Sequence, residues 1–177
     1  MKIGIDVSQL AYHNTGVANY LKNLVSSLVK SDRENEYILF FSSLRGSLPD
    51  LNFDLKSHPH VSLKQFKFPP TVLDLLWNKL HVLPIENLIG DVDIFITSDW
   101  TEPPSKKAKK MTILYDLIVY KHPEETDAKI VETQKRKLAW VKKETAMVLC
   151  ISDATKKDAV EMLGIEEKNL QVVYPGI

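Results

Sequence analysis

Residues 2–29 read KIGIDVSQLAYHNTGVANYLKNLVSSLV, and this stretch decides the fold class. Its first six residues are mostly apolar and predict a short, buried, central strand. After the loop that ends at Thr15 and Gly16, apolar side chains recur three and four positions apart from Val17 to Val29, which predicts one face of a helix. A strand followed by a helix is the building unit of a parallel α/β sheet.

The same alternation continues along the chain. Further strands are predicted at 37–41, 61–68, 92–97, 111–115, 147–151 and 170–174, and further helices at 73–80, 126–145 and from Ser152 to Gly164. We therefore predict an α/β fold with a doubly wound, mostly parallel sheet and helices on both faces. All 177 residues are expected to form one Rossmann-like domain.

Composition restricts the partners. The 23 basic and 23 acidic side chains balance, so overall charge gives no argument for nucleic acid or an anionic membrane. The single cysteine, Cys150, cannot form an internal disulfide, and no apolar run reaches the roughly 18 residues of a membrane-spanning helix. We expect a cytoplasmic protein. It would be membrane-peripheral if the lysine-rich stretches 106–110 and 135–143 touched anionic lipid weakly, but we favour a solvated surface for both.

Ligands of doubly wound folds bind beyond the carboxyl ends of the strands, which selects the candidate residues. Thr15 and Gly16 begin the first helix, where they could contact a phosphate or serve only as cap and turn. Asp116 follows a strand and could orient a sugar hydroxyl, or bond its own loop. Trp100 could stack on a sugar face or cover the core. Ser152 could face the cleft, although capping the next helix is the favoured role.

Several kinds of chemistry are not indicated. The five histidines lack the spacing of metal ligands, so no metal site is predicted. One glycine in the first loop makes neither a dinucleotide fingerprint nor a P-loop, so no cofactor is predicted. Cys150 lies inside an apolar strand and is expected to be a buried, inert thiol.

Four segments together resemble a known family. They are Asn14–Val17 with the helix that follows, Val92–Phe95 running to Pro103-Pro104, Ile113–Ile118 followed by His122-Pro123-Glu124, and Cys150–Ser152 running through Leu163-Gly164-Ile165 to Pro175-Gly176-Ile177. In this order they are similar to the amino-terminal half of retaining glycosyltransferases of the GT-B fold, in family 4.

The resemblance implies the acceptor-binding half of an enzyme that moves a sugar from a nucleotide-sugar donor to a glycan or a lipid-linked acceptor. It places the phosphate-facing loop at Thr15 and Gly16. It also places Tyr115 where the family usually has a histidine, which makes Tyr115 and Asp116 the candidate catalytic pair. It implies a carboxyl-terminal donor domain beyond residue 177, without which this domain is expected to be inert.

Two other interpretations stay open on sequence alone. One is a stand-alone, non-enzymatic, flavodoxin-like binding or regulatory module. The other, weaker one is an independent nucleotide-dependent enzyme, against which the missing glycine fingerprint argues. The acceptor, the donor sugar and its nucleotide, and the oligomeric state are not specified by the sequence.

Overall fold

A computed structural model describes residues 1–12 and 14–176. In these residues one seven-stranded sheet is formed by β1 (Lys2–Asp6), β2 (Glu36–Ser42), β3 (Val61–Phe66), β4 (Ile94–Thr97), β5 (Lys109–Leu114), β6 (Met147–Cys150) and β7 (Leu170–Val172). Each predicted strand is present, with ends shifted by up to two residues. Every neighbouring pair is parallel, which confirms the predicted α/β class.

The order of the strands across the sheet is β3-β2-β1-β4-β5-β6-β7. The chain first builds outward from β1 to β3 and then returns to pair β4 against the other side of β1. Ile5 accordingly faces Leu39 on one side and Ile96 on the other. This reversal between β1 and β4 is the topological switch point, where doubly wound folds open a crevice at the carboxyl edge.

The connecting helices are α1 (Gly16–Ser31), α2 (Pro70–Leu73), α3 (Glu86–Ile89), α4 (Ile118–Lys121), α5 (Ala128–Glu144) and α6 (Asp153–Asp158). Wider π-helical turns extend α2 through Asp74–Lys79 and α6 through Ala159–Leu163. Gly164 then ends the last helix in a left-handed conformation, with φ of 64°, as predicted.

Helices cover both faces of the sheet. Because successive side chains of a strand point to opposite faces, Leu39 and Phe41 of β2 pack in the cluster that contains Leu21 of α1. Phe40, between them, packs with Trp77 in a cluster on the other face. These two layers fix the loops that follow the strands at one edge of the sheet.

Candidate functional site

Two cavities at the carboxyl edge of the sheet are lined by candidate residues. The larger one, of about 690 Å³, lies between α1 and the ends of β5, β6 and β7. Gly16 and Val17 of α1, Tyr115 and Asp116 after β5, and the segment 173–176 after β7 line it. The fold thus brings Gly16, Tyr115 and Asp116 together in one groove, although about 100 residues separate them in sequence.

Thr15 caps the first helix and does not line this groove. Its hydroxyl oxygen accepts a hydrogen bond from the amide of Ala18 at 3.1 Å and its hydroxyl donates to the carbonyl of Tyr12 at 3.2 Å. This is the role of an N-cap residue. Gly16, the first residue of α1, is exposed, and no heavy atom lies within 4 Å of the position a Cβ would take. The space beside the start of α1 is therefore open to a ligand.

Tyr115 forms part of the floor of the groove. Its hydroxyl lies 3.1 Å from the Ser98 hydroxyl, and its ring meets the ring of Tyr20 edge to face at 5.6 Å. Burial raises the pKa of Tyr115 well above its usual range, although the Ser98 hydrogen bond opposes the shift. The phenol is therefore neutral at physiological pH, which suits a hydrogen-bonding and packing role better than proton transfer.

Asp116 stands at the rim and is exposed. Its Oδ1 accepts a hydrogen bond from the amide of Ile118 at 3.0 Å, which fixes the carboxylate at the start of α4. The other carboxylate oxygen accepts no hydrogen bond from the described residues. The local loop bond expected on residue type is thus present, and it leaves one oxygen available to a hydroxyl of a ligand.

Trp100 belongs to the second cavity, which lies at the switch point. This pocket has a volume of about 40 Å³ and lies over the ends of β1, β2 and β4. Trp100 is half-buried there, so its ring is partly available for stacking. Ser152 lines neither cavity. It caps α6 by accepting a hydrogen bond from the amide of Thr155 at 3.1 Å, which is the role favoured above.

The sequence model of Glycosyltransferase Family 4 matches residues 14–177, which is most of the chain. This chain belongs to glycosyltransferase family 4. No curated protein sequence matches it. The match favours a transferase domain over a stand-alone regulatory module, and the parallel sheet with its switch-point crevice agrees with that assignment.

The family 4 domain buries charged residues that the sequence did not single out. Glu102 is fully buried, and its Oε2 accepts hydrogen bonds from the hydroxyls of Thr97 at 2.7 Å and Thr112 at 3.0 Å. Lys110 lies 3.2 Å from Glu102 Oε1 and 2.8 Å from Glu144 Oε2. A buried ion pair satisfied in this way supports the loop that follows β4.

Lys137 of the family 4 domain lies behind the switch point and is also buried. Its ammonium group donates to the carbonyl of Ser98. Burial lowers the pKa of Lys137, and the negative charges of Glu102, Asp99 and Asp6 oppose that shift. Glu102, Asp99 and Asp6 lie at or just after the ends of predicted strands, and this position could have identified them from the sequence. Nothing in the sequence distinguishes Lys137 from its solvated neighbours.

The lysine-rich stretches of the family 4 domain therefore differ from the expectation. Lys110 and Lys137 are buried and cannot contact lipid or bulk water, so a uniformly solvated surface was the wrong interpretation for these two. Lys106, Lys107 and Lys109 are exposed, as predicted. Among the described residues, no helix is long and apolar enough to cross a bilayer.

Two further sequence predictions concern reactive groups. Cys150 is completely buried, and burial raises its pKa to about 11, so the thiol is inert as predicted. His122, Glu124 and Glu125 bring ligand atoms within 4.8 Å of one another on the surface. All three are exposed on one short turn, an arrangement common without a metal, and we assign no ion to it.

Proposed function

We propose that this domain is the acceptor-binding half of a glycosyltransferase that moves a sugar from a nucleotide-sugar donor to a glycan or lipid-linked acceptor. The observation that carries the proposal is the groove of about 690 Å³ that gathers Gly16, Tyr115 and Asp116 at the carboxyl edge. A groove of this size accommodates a sugar ring together with part of the group attached to it.

The start of α1 suits a phosphate. The first amides of a helix have no acceptor within the helix, and the helix dipole favours negative charge there. Gly16 and Val17 supply this position, and the absent side chain at Gly16 lets a diphosphate come close to the backbone. In transfer, the acceptor hydroxyl oxygen would bond to the anomeric carbon as the bond from that carbon to the diphosphate breaks, and the hydroxyl proton would pass to the departing diphosphate.

Asp116 and Tyr115 have different parts in this proposal. The unpaired oxygen of Asp116 accepts a hydrogen bond from a sugar hydroxyl and holds the ring at the groove rim. Tyr115 keeps a neutral phenol against Ser98 and supports the groove floor, so we propose it as a positioning residue. Stabilising the transition state needs groups on both sides of the sugar. We accordingly propose that a separate carboxyl-terminal domain holds the nucleotide and that residues 1–177 alone are inert.

The test is a transfer assay with the full-length gene product, labelled nucleotide sugars and a mixture of glycan and lipid-linked acceptors. Asp116→Asn and Gly16→Val are each expected to lower kcat/KM at least about tenfold, since one removes a charged acceptor and the other fills the phosphate position. The valine has open space around it, so the fold should persist.

Asp91→Asn is the matched control, because Asp91 is an exposed carboxylate at the opposite edge of the sheet. Near-normal transfer by both site variants would remove the proposed site. Turnover by residues 1–177 alone would overturn the two-domain arrangement.

A further inference from the structure

The smaller cavity, at the switch point, is lined by a buried carboxylate. Asp6, the last residue of β1, is 6% exposed and lines the cavity. The amide of Ser8 donates a hydrogen bond to Oδ1 at 2.9 Å, and the Ser8 hydroxyl is a second donor that lowers the pKa of the carboxyl group. An ionised carboxylate has about four acceptor positions, so Asp6 can accept a further hydrogen bond from a group in the cavity.

Lys137 supplies charge but no hydrogen bond to Asp6. It lies close enough to lower the pKa of Asp6, although burial raises that pKa more. No described side chain forms an ion pair with Lys137 within 4.0 Å, and its one hydrogen bond is to the Ser98 carbonyl. The lysine therefore acts as a nearby counter-charge, and the Asp6 carboxylate keeps acceptor capacity at the wall of the cavity.

The walls of the cavity fit a group that bears hydroxyls. Ser8, Ser42 and Thr101 provide polar walls, and two aromatic residues also line the cavity. Trp100 is half-buried and Tyr12 is 47% exposed, so both can pack against the ring of a bound sugar. A carboxylate flanked by hydroxyls and aromatic faces is a common way of binding carbohydrates.

The volume of the cavity limits which chemical groups can bind in it. About 40 Å³ holds one or two small groups and cannot hold a sugar ring. A hydroxyl attached directly to the sugar ring could enter the cavity only if the ring entered with it. The hydroxymethyl group of a hexose projects on its own carbon and can enter alone.

We propose that this cavity binds the hydroxymethyl group of a hexose unit in the acceptor, with the hydroxyl donating to Asp6 and the ring lying against Trp100 and Tyr12. This rests on the proposed function in one respect only, namely that the sugar belongs to the acceptor.

The protein offers a direct probe, because it contains three tryptophans. The indole N–H of Trp77 donates to the carbonyl of Leu83 and that of Trp140 donates to the carbonyl of Asn78. These two are internal references, and Trp100 alone lines the cavity. Titration of the 15N-labelled chain with methyl α-D-glucopyranoside and methyl α-D-mannopyranoside is expected to move the Trp100 indole resonance saturably and leave the other two in place.

Methyl α-D-xylopyranoside lacks the hydroxymethyl group and is expected to bind at least about tenfold more weakly than the glucoside, as expected for loss of a hydrogen bond to a charged group. Asp6→Asn is expected to weaken glucoside binding by a similar factor, and Asp91→Asn to leave it unchanged. If Asp6→Asn fails to fold, the comparison of glucoside with xyloside binding to the unsubstituted chain still tests the proposal.

Three results would overturn the proposal. They are no movement of the Trp100 resonance in a large excess of either hexoside, equal binding of glucoside and xyloside, and movement with a nucleotide-linked hexose but not with the methyl hexosides, which would assign the cavity to the donor. A failure here leaves the Asp116 and Gly16 transfer assay untouched, and the converse also holds, so the two proposals are separable.

Discussion

At the scale of single residues, the most consequential feature is a buried pair of opposite charges. Glu102 is inaccessible to solvent and the side chain of Lys110 is 3% exposed, so the Glu102 charge relies on Lys110 for compensation. Removing one partner of such a pair leaves an uncompensated buried charge, which costs far more than the pair itself contributes.

Lys110→Met is expected to lower the free energy of unfolding by about 3–5 kcal/mol. Lys2→Met is the control, because Lys2 pairs with Glu36 at 3.5 Å on the surface, where the side chains are 54% and 64% exposed. That change should stay within about 0.5 kcal/mol. Urea denaturation measures both, and the double variant Lys110→Met with Glu102→Gln should recover part of the loss. Equal effects of the two single changes would contradict the prediction.

Glu86 shows how hydrogen bonds can outweigh burial. Burial alone would raise its pKa, but its Oε1 accepts hydrogen bonds from the amides of Lys106 at 2.9 Å and Lys107 at 3.0 Å and from the hydroxyl of Ser105 at 2.8 Å. The result is a pKa lowered to about 2. The ionised carboxylate therefore stabilises the fold above its unfolded pKa, and this stabilisation is lost as the pH falls toward the folded value.

Glu86→Gln is expected to lower the free energy of unfolding by about 2 kcal/mol near neutral pH. The difference in free energy of unfolding between the variant and the unsubstituted chain should shrink as the pH is lowered from about 5 toward about 3. In this range Glu86 is protonated more readily in the unfolded state than in the folded state, so the unsubstituted chain loses its advantage. Chemical denaturation across this range measures it, with Glu36→Gln as an exposed control. A difference that did not change with pH would disprove the interpretation.

At the scale of elements, close packing between β1 and the helical layer depends on one glycine. A Cβ at Gly4 would lie 2.6 Å from Cδ2 of Phe95 and 2.9 Å from Cδ1 of Ile89. The neighbouring strand and α3 approach β1 this closely only because the side chain is missing. The short apolar segment predicted β1 but gave no reason for the glycine in it.

Gly4→Ala is expected to lower the free energy of unfolding by about 1–3 kcal/mol, since the added methyl group overpacks the core. Gly16→Ala is the matched control, because nothing lies within 4 Å of the new Cβ and alanine favours a helix more than glycine does. Thermal unfolding distinguishes the two. Equal stability of both variants would show that the helical layer accommodates the added methyl group without loss of stability.

At the scale of the whole molecule, the order of the strands predicts how stability is distributed. β1 is paired on both sides, whereas β3 and β7 stand at the two edges. Local opening of an edge strand breaks one set of hydrogen bonds, and opening of a central strand requires the sheet to come apart.

Hydrogen exchange is therefore expected to be slowest at β1, represented by Ile5, with an opening free energy close to that of global unfolding. Leu63 of β3 and Gln171 of β7 should exchange through smaller openings. Amide exchange followed by NMR measures this at single residues. Protection at β7 equal to that at β1 would mean that the sheet opens only as one unit.

The sequence by itself determined the seven strands, the main helices and the parallel α/β class, because periodic burial is a local property that each segment carries. It also identified Asp116 and Gly16 as residues at strand or helix ends. Which residues share a cavity was decided by the tertiary structure, since the strand order places Gly16 beside Asp116 and puts Trp100 with Asp6 at the switch point.

The buried charges were decided in the same way. Lys137 and Lys110 look like their neighbours in sequence, and only the tertiary packing around them separates them from water. Lys110 pairs with Glu102 nearby in sequence but also with Glu144, 34 positions away, and the Ser98 carbonyl that accepts from Lys137 is 39 positions away. Burying a charge is favourable only when such distant groups are brought to it, and that juxtaposition exists in the folded chain and not in any local pattern.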